Sequence, residues 1–170
     1  MTNGLDGLVL ECAVSKGRKR EKSGQSAALL SPSRGGVRTF PQVTKKSPRL
    51  RVLIVEDERL IRWSIAETLS HAGHSVIEAE DGAGAVRWLT NPIEPVDAVV
   101  LDYRLSDSND LTLLTSIRRL SPASAVILMT AFGTPDITRG ALALGVFRVL
   151  DKPFDMGDLP ALLLRACGSE

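Results

Sequence analysis

Four short stretches carry side chains whose types could do chemistry together. Glu56-Asp57-Glu58 places three carboxylates in a row, Asp102 follows Val99-Val100-Leu101, Thr130 follows Ile127-Leu128-Met129, and Asp151-Lys152-Pro153 follows Val149-Leu150. Crowded carboxylates repel and raise one another's pKa unless a cation joins them. A hard divalent cation with oxygen ligands answers that need, and Mg²⁺ suits a small carboxylate cluster that keeps waters and admits a phosphoryl oxygen. Lys152 supplies a point charge for a phosphate or carboxylate, and Thr130 can donate to an oxygen. An aspartate beside Mg²⁺ and a lysine has the make-up of a phosphoryl acceptor, because carboxylates serve as nucleophiles in aspartyl-phosphate chemistry. In-line transfer then needs mainly positioning and charge neutralisation.

Each residue alone has a plainer reading. Asp57 or Glu58 could cap a helix, where negative charge is favoured. Lys152 could be an ordinary ion-pair partner and Thr130 a turn hydroxyl. His71 and His74 flank Gly73 and read as a solvated helix end, and Trp63 and Trp88 read as core or rim on helix faces. The joint arrangement is what favours chemistry, and it requires elements that bring these residues to one place.

The spacing supplies such elements. Val52 to Val55 is a short apolar run rich in β-branched residues, and similar runs span Val96 to Leu101, Ala125 to Met129 and Val146 to Leu150, with a weaker one at Ser75 to Ala79. Runs of this kind suit strands buried on both faces of a parallel sheet. Between them lie helical patterns. Leu60, Ile61, Ile65, Leu69 and Ala72 share one face, with Gly73 as the stop. Ala83 to Leu89, Leu111 to Leu120, Pro135 to Leu144 and Leu159 to Cys167 follow, with Gly145 as a further stop and Pro160 in a first helical turn. Alternating strands and helices predict an α/β domain with a parallel sheet and right-handed crossovers. Ligands bind such sheets beyond the carboxyl ends of the strands. All four polar stretches stand there.

Composition sets the outer bounds. The chain has 170 residues, 44% hydrophobic and 24% charged, enough apolar material for a core. No apolar run approaches the roughly 20 residues of a membrane helix, and a secretory signal pattern is absent. Cys12 and Cys167 make neither a disulfide framework nor a metal site, so a cytoplasmic location is expected. The net charge of +1 conceals a split. Residues 1–48 hold nine basic and three acidic residues, and residues 49–170 hold twelve and seventeen. The first stretch also holds six Ser, six Gly and three Pro, with Phe40 its one aromatic. It reads as a basic, disordered N-terminal extension, residues 1–48, ahead of a folded domain, residues 49–170. Lys16 to Arg20 could touch nucleic acid or an anionic surface, but no aromatic interleaves with the charge. A start codon assigned too far upstream would also account for this stretch.

The folded part resembles the receiver domain of bacterial two-component response regulators. The resemblance rests on Val52-Leu53-Ile54-Val55-Glu56-Asp57-Glu58, Val99-Val100-Leu101-Asp102-Tyr103-Arg104-Leu105, Ile127-Leu128-Met129-Thr130-Ala131 and Asp151-Lys152-Pro153-Phe154-Asp155, in that order over roughly residues 50–166. The stretch from Thr130 to Gly145 is most similar to receivers of the nitrogen-regulator type. The resemblance implies a doubly wound, five-stranded parallel sheet of order 2-1-3-4-5, the CheY-like, flavodoxin-like arrangement. It implies Asp102 as phosphoacceptor, with Glu56 and Asp57 as the acidic pair for Mg²⁺, Asp57 directly and Glu56 through water. Arg104 would lend its backbone carbonyl to the metal. Thr130 and Lys152 would bind the phosphoryl group beside small Ala131, with a cis Lys152-Pro153 bond of the kind common in the family.

The chain departs from the family pattern at three places. Ser106 and Asp110 stand where the family usually has Pro and Gly, and Asp110 is a candidate cap for the third helix. Val149 stands where many receivers carry a switch aromatic, and strand alternation would put Phe147 on the same face. The fifth helix is short, and no DNA-binding or other output domain is expected within the chain. The implied function is a stand-alone receiver of a phosphorelay, phosphorylated at Asp102 by a sensor histidine kinase or exchanging with a histidine phosphotransfer protein. Phosphorylation would switch partner binding on the face made by the fourth helix, fifth strand and fifth helix. The domain would then be a signalling module with slow self-dephosphorylation and not an enzyme. Two other readings stay open: an Asp-nucleophile phosphohydrolase, which lacks the second acid since Arg104 stands there, and a phosphorylation-independent module or a fragment of a longer regulator.

Overall fold

The computed structural model describes residues 48–90 and 92–168. The proposed extension therefore lies outside the described residues, apart from Pro48. Five strands, β1 (Arg51–Val55), β2 (Ser75–Ala79), β3 (Ala98–Asp102), β4 (Ala125–Thr130) and β5 (Arg148–Asp151), alternate with five helices. These are α1 (Arg59–His71), α2 (Gly82–Thr90), α3 (Thr112–Leu120), α4 (Pro135–Ala143) and α5 (Leu159–Ala166), with a 3₁₀ turn at Met156–Asp158 before the last. All strands pair in parallel in the order β2-β1-β3-β4-β5, as expected.

Side-chain alternation sorts the core into two layers. Leu53, Val55, Val99, Leu101, Val126 and Leu128 face one side, against Ala85 and Leu89 of α2, Leu114 and Ile117 of α3 and Ala141 of α4. Val52, Ile54, Ala98, Val100, Ile127 and Met129 face the other, against Ile65, Ala66 and Leu69 of α1 and Leu159, Leu162 and Leu163 of α5. Central strands buried on both faces need unbroken apolar runs, which is why the pattern is so plain in the sequence. Gly73 and Gly145 adopt φ of 91° and 82° and end α1 and α4 in the left-handed region that favours glycine. Thr134 caps α4 by accepting from the Ile137 amide at 3.3 Å, with Pro135 in the first turn.

Several boundaries differ from the sequence pattern. The carboxyl ends do not: Asp102, Thr130 and Asp151 are the last residues of their strands, in keeping with strands that end in these residues. The ladder continues past them, since Tyr103 donates to the Met129 carbonyl at 2.8 Å and Lys152 to the Thr130 carbonyl at 2.7 Å. A polar side chain does not stop its own backbone from pairing. Val96, Val146 and Phe147 precede their strands. Phe147 is 45% exposed while Val149 packs into the core layer of α2, α3 and α4, so the two do not share an environment.

Two further readings are corrected. His74 is buried, not solvated: the Leu50 amide donates to its Nδ1 at 3.2 Å. The turn after α1 folds beneath the start of β1 and carries the ring inward. Trp63 is 60% exposed and belongs to no core layer, whereas Trp88 is 43% exposed and fits a place at the rim. No helix among the described residues is long and apolar enough to cross a membrane.

Candidate functional site

The parallel sheet delivers the polar stretches to one edge. Val55 pairs with Leu101, Asp102 with Met129, and Thr130 with Asp151, so the ends of β1, β3, β4 and β5 stand side by side. Glu56, the first residue past β1, keeps its amide on the Ala79 carbonyl at 3.2 Å and turns its side chain into the structure, where it is 1% exposed. Asp102 and Thr130 are also buried, whereas Asp57 is exposed. One carboxylate oxygen from each of Glu56, Asp57 and Asp102 falls within 4.8 Å of the others.

Lys152 reaches into this group. Its Nζ donates to Glu56 Oε2 at 2.7 Å and to Asp102 Oδ2 at 2.9 Å. The cis Lys152-Pro153 bond lies at the same place. Burial pushes the Glu56 carboxyl above its ordinary pKa; the bond from Lys152 opposes this, and the Asp102 charge adds to it. Burial pulls the Lys152 ammonium down, but its hydrogen bonds and attraction to Glu56 and Asp102 outweigh that and leave it raised. The two shifts pull the pair in different directions: attraction to the carboxylates favours the charged lysine, whereas burial disfavours the charged Glu56. One ammonium does not neutralise three carboxylates, and positive charge is in demand.

The donor set fits a magnesium ion. It is all oxygen, small and negatively charged. Glu56 has both oxygens engaged, Oε2 by Lys152 and Oε1 by the Glu58 amide at 3.3 Å, which suits a role through water. A cavity of about 360 Å³ lined by Asp57, Glu80, Asp81 and Ser106 opens beside Asp57, with room for a hydrated cation. Glu58 stands at the capping position of α1, as the plainer reading allowed, although its side chain makes no capping bond.

The β3–α3 loop closes the site. The Arg104 amide lies 3.4 Å from Asp102 Oδ1, and its guanidinium sits over the Phe132 ring, 5.4 Å from the centroid. Thr130 Oγ1 accepts from the Phe132 amide at 3.2 Å. Asp110 accepts from the Thr112 amide at 2.8 Å in a turn leading into α3, whose capping position is held by Leu111 and not by Asp110. Arg62 was not singled out in the sequence, yet it ties α1 to the site: its Nη1 donates to the Glu56 carbonyl at 2.7 Å and the Asp57 carbonyl at 3.3 Å. An arginine one turn into a helix that follows an acidic loop was the available signal.

Residues 52–164 match the family model of the response regulator receiver domain. The chain belongs to this family. It is 36% identical over 121 residues to a putative response regulator NtrX-like from Rickettsia conorii, covering 70% of this chain and 25% of that protein. It is 34% identical over 115 residues to the DNA-binding transcriptional regulator NtrC of Escherichia coli, covering 68% of this chain and 24% of that protein. The chain thus spans about a quarter of the length of these curated relatives. A response regulator receiver domain from Clostridium thermocellum superposes with a TM-score of 0.65 at 27% identity, over 70% of this chain and 94% of that one. The domain is therefore a two-component receiver of nitrogen-regulator type.

Proposed function

We propose that Asp102 accepts a phosphoryl group from a histidine kinase or histidine phosphotransfer protein, and that this changes which partner the domain binds. The observation that carries the reading is the Lys152 ammonium bridging Glu56 and Asp102 within a group of three carboxylates. An Asp102 oxygen forms the bond to phosphorus as the donor's bond to phosphorus breaks. Lys152 and the Thr130 hydroxyl would hold phosphoryl oxygens. Asp57 and Asp102 would hold Mg²⁺ directly, Glu56 through water, and Arg104 through its backbone carbonyl. The ion would neutralise charge on the transferring group. The face of α4, β5 and α5 offers half-exposed Leu142 and Phe147 to a partner. Residues 49–170 form the receiver in this reading, and residues 1–48 are an extension that the phosphorylation chemistry does not need.

Incubation with acetyl phosphate and Mg²⁺ tests this. The expected result is an acid-stable, base-labile adduct on a phosphate-affinity gel, absent in Asp102→Asn and unchanged on deletion of residues 1–47. Equal labelling of Asp102→Asn, or none of the wild type, overturns the proposal. Rapid Asp102-dependent turnover of a generic phosphate ester would favour a phosphohydrolase instead.

A further inference from the structure

The β3–α3 loop is tied to a helix that contributes nothing to the carboxylate group. Asp107 sits at the tip of a tight turn, in which the Leu105 amide donates to the Ser108 carbonyl at 2.7 Å and the Ser108 amide to the Leu105 carbonyl at 3.3 Å. From that tip its carboxylate crosses to the N-terminus of α2. Oδ1 accepts from the Gly82 amide at 2.9 Å, and Oδ2 from the Ala83 amide at 3.0 Å. Helix N-termini leave their first amides without intrahelical partners and carry partial positive charge. Here the work is divided. Asp81, in the ordinary capping position, accepts from the Gly84 amide at 2.5 Å, and Asp107 serves the two amides before it.

Gly82 leaves room for this approach. A Cβ there would come within 2.9 Å of Leu113 Cδ2 and 3.3 Å of Asp107 Oδ1. The loop, the start of α3 and the start of α2 therefore meet at a residue with no side chain. The turn that presents Asp107 begins at Leu105, the neighbour of Arg104. Ser106 leaves this loop without a proline to stiffen it. A carbonyl offered by Arg104 is only as well placed as the loop that carries it.

We infer that Asp107 is a positioning residue for the metal side of the phosphoacceptor site: by anchoring the Leu105–Ser108 turn on α2, it pre-organises the Arg104 carbonyl. Its side chain does not touch the reacting atoms. With the anchor in place, the ordering of the loop is settled when the domain folds. Without it, the same ordering must occur on cation binding and weakens the apparent affinity. The inference rests on the proposed role of Asp102 and its neighbours.

The test is Mg²⁺ titration by calorimetry on the full chain, for wild type, Asp107→Ala and Asp107→Asn. Asp107→Ala should raise the Mg²⁺ dissociation constant about fivefold, the equivalent of one lost capping interaction. Asn keeps an acceptor but loses the charge, and should recover at least half of that loss on a logarithmic scale. Labelling of Asp102 by acetyl phosphate at saturating Mg²⁺ should stay within twofold in all three. Amide exchange at Gly82 and Ala83 should accelerate in Asp107→Ala. An unchanged dissociation constant in folded Asp107→Ala overturns the inference. So does an equal loss in Asn and Ala, which would mark a long-range charge effect. If wild type neither binds Mg²⁺ nor is labelled, the reading of the site itself fails, and the role of Asp107 fails with it.

Discussion

At the edge where the strands begin, the buried side chains of Ser124 and His74 and the exposed side chain of Asp97 engage the backbone. Ser124 donates to the Val96 carbonyl at 2.6 Å, Asp97 accepts from the Arg51 amide at 2.7 Å, and His74 accepts from the Leu50 amide. At the edge where the strands end, buried polar side chains face one another. Glu56 and Asp102 share a single ammonium, and Asp57 stands beside them. The first arrangement pairs these side chains with the backbone, although Arg51 Nε and His74 Nε2 at the same edge are buried without a hydrogen-bond partner. The second leaves negative charge in excess. The same sheet thus turns its polar side chains mainly to the backbone at one end and leaves carboxylate charge in excess at the other, and unbalanced charge in a cleft is a mark of function.

Substitutions can break this contrast, and the largest effect is expected at the charged edge. Lys152→Met strands two buried carboxylates. We expect a loss of about 3 kcal/mol in urea unfolding, partly recovered by Mg²⁺, because a cation can replace the missing charge. A loss that Mg²⁺ leaves untouched would mean that the site does not select for positive charge. Ser124→Ala removes the donor to the Val96 carbonyl and a 2.6 Å contact with the Ser121 hydroxyl. A loss of about 1–2 kcal/mol is expected, identical with and without Mg²⁺. Sensitivity to Mg²⁺ there would erase the distinction between the two edges.

The smallest effect concerns pH. Burial lowers the His74 pKa, so the unfolded chain binds its proton first as the pH falls. The contribution of neutral His74 is complete above about pH 6.5 and declines below it. His74→Gln keeps an acceptor for the Leu50 amide and does not titrate. Its stability should fall less steeply than wild type between about pH 6.5 and 5 in denaturant midpoints. Parallel curves would refute a buried, neutral ring.

The sequence made some of this plain and hid the rest for physical reasons. Val52 to Val55 and Val99 to Leu101 announce strands because both of their faces are buried. Gly73 and Gly145 announce helix ends because their backbones need positive φ. The four polar stretches could be placed together because parallel pairing leaves them one edge to share. β5 began later than its apolar run, since an edge strand exposes Arg148 and Asp151 and has less to bury. His74 was misread because a histidine beside a glycine resembles a solvated end, and its burial depends on the packing of the turn beneath β1. Asp107 gave no local signal at all. Its partners lie 25 and 24 residues away, and only the closed fold brings an α2 amide to it.

The hydrocarbon directly beneath the carboxylates has one more consequence. Val55 and Leu101 lie a single residue below Glu56 and Asp102, roughly 3.3 Å along the strand, and both are buried, as is Met129 beside them. The site therefore rests on an insulating floor. Field lines from any charge gained at Asp102 are turned away from that floor and crowd into the polar space above it. The sheet acts as a backstop that aims the electrostatic change at the loops above it.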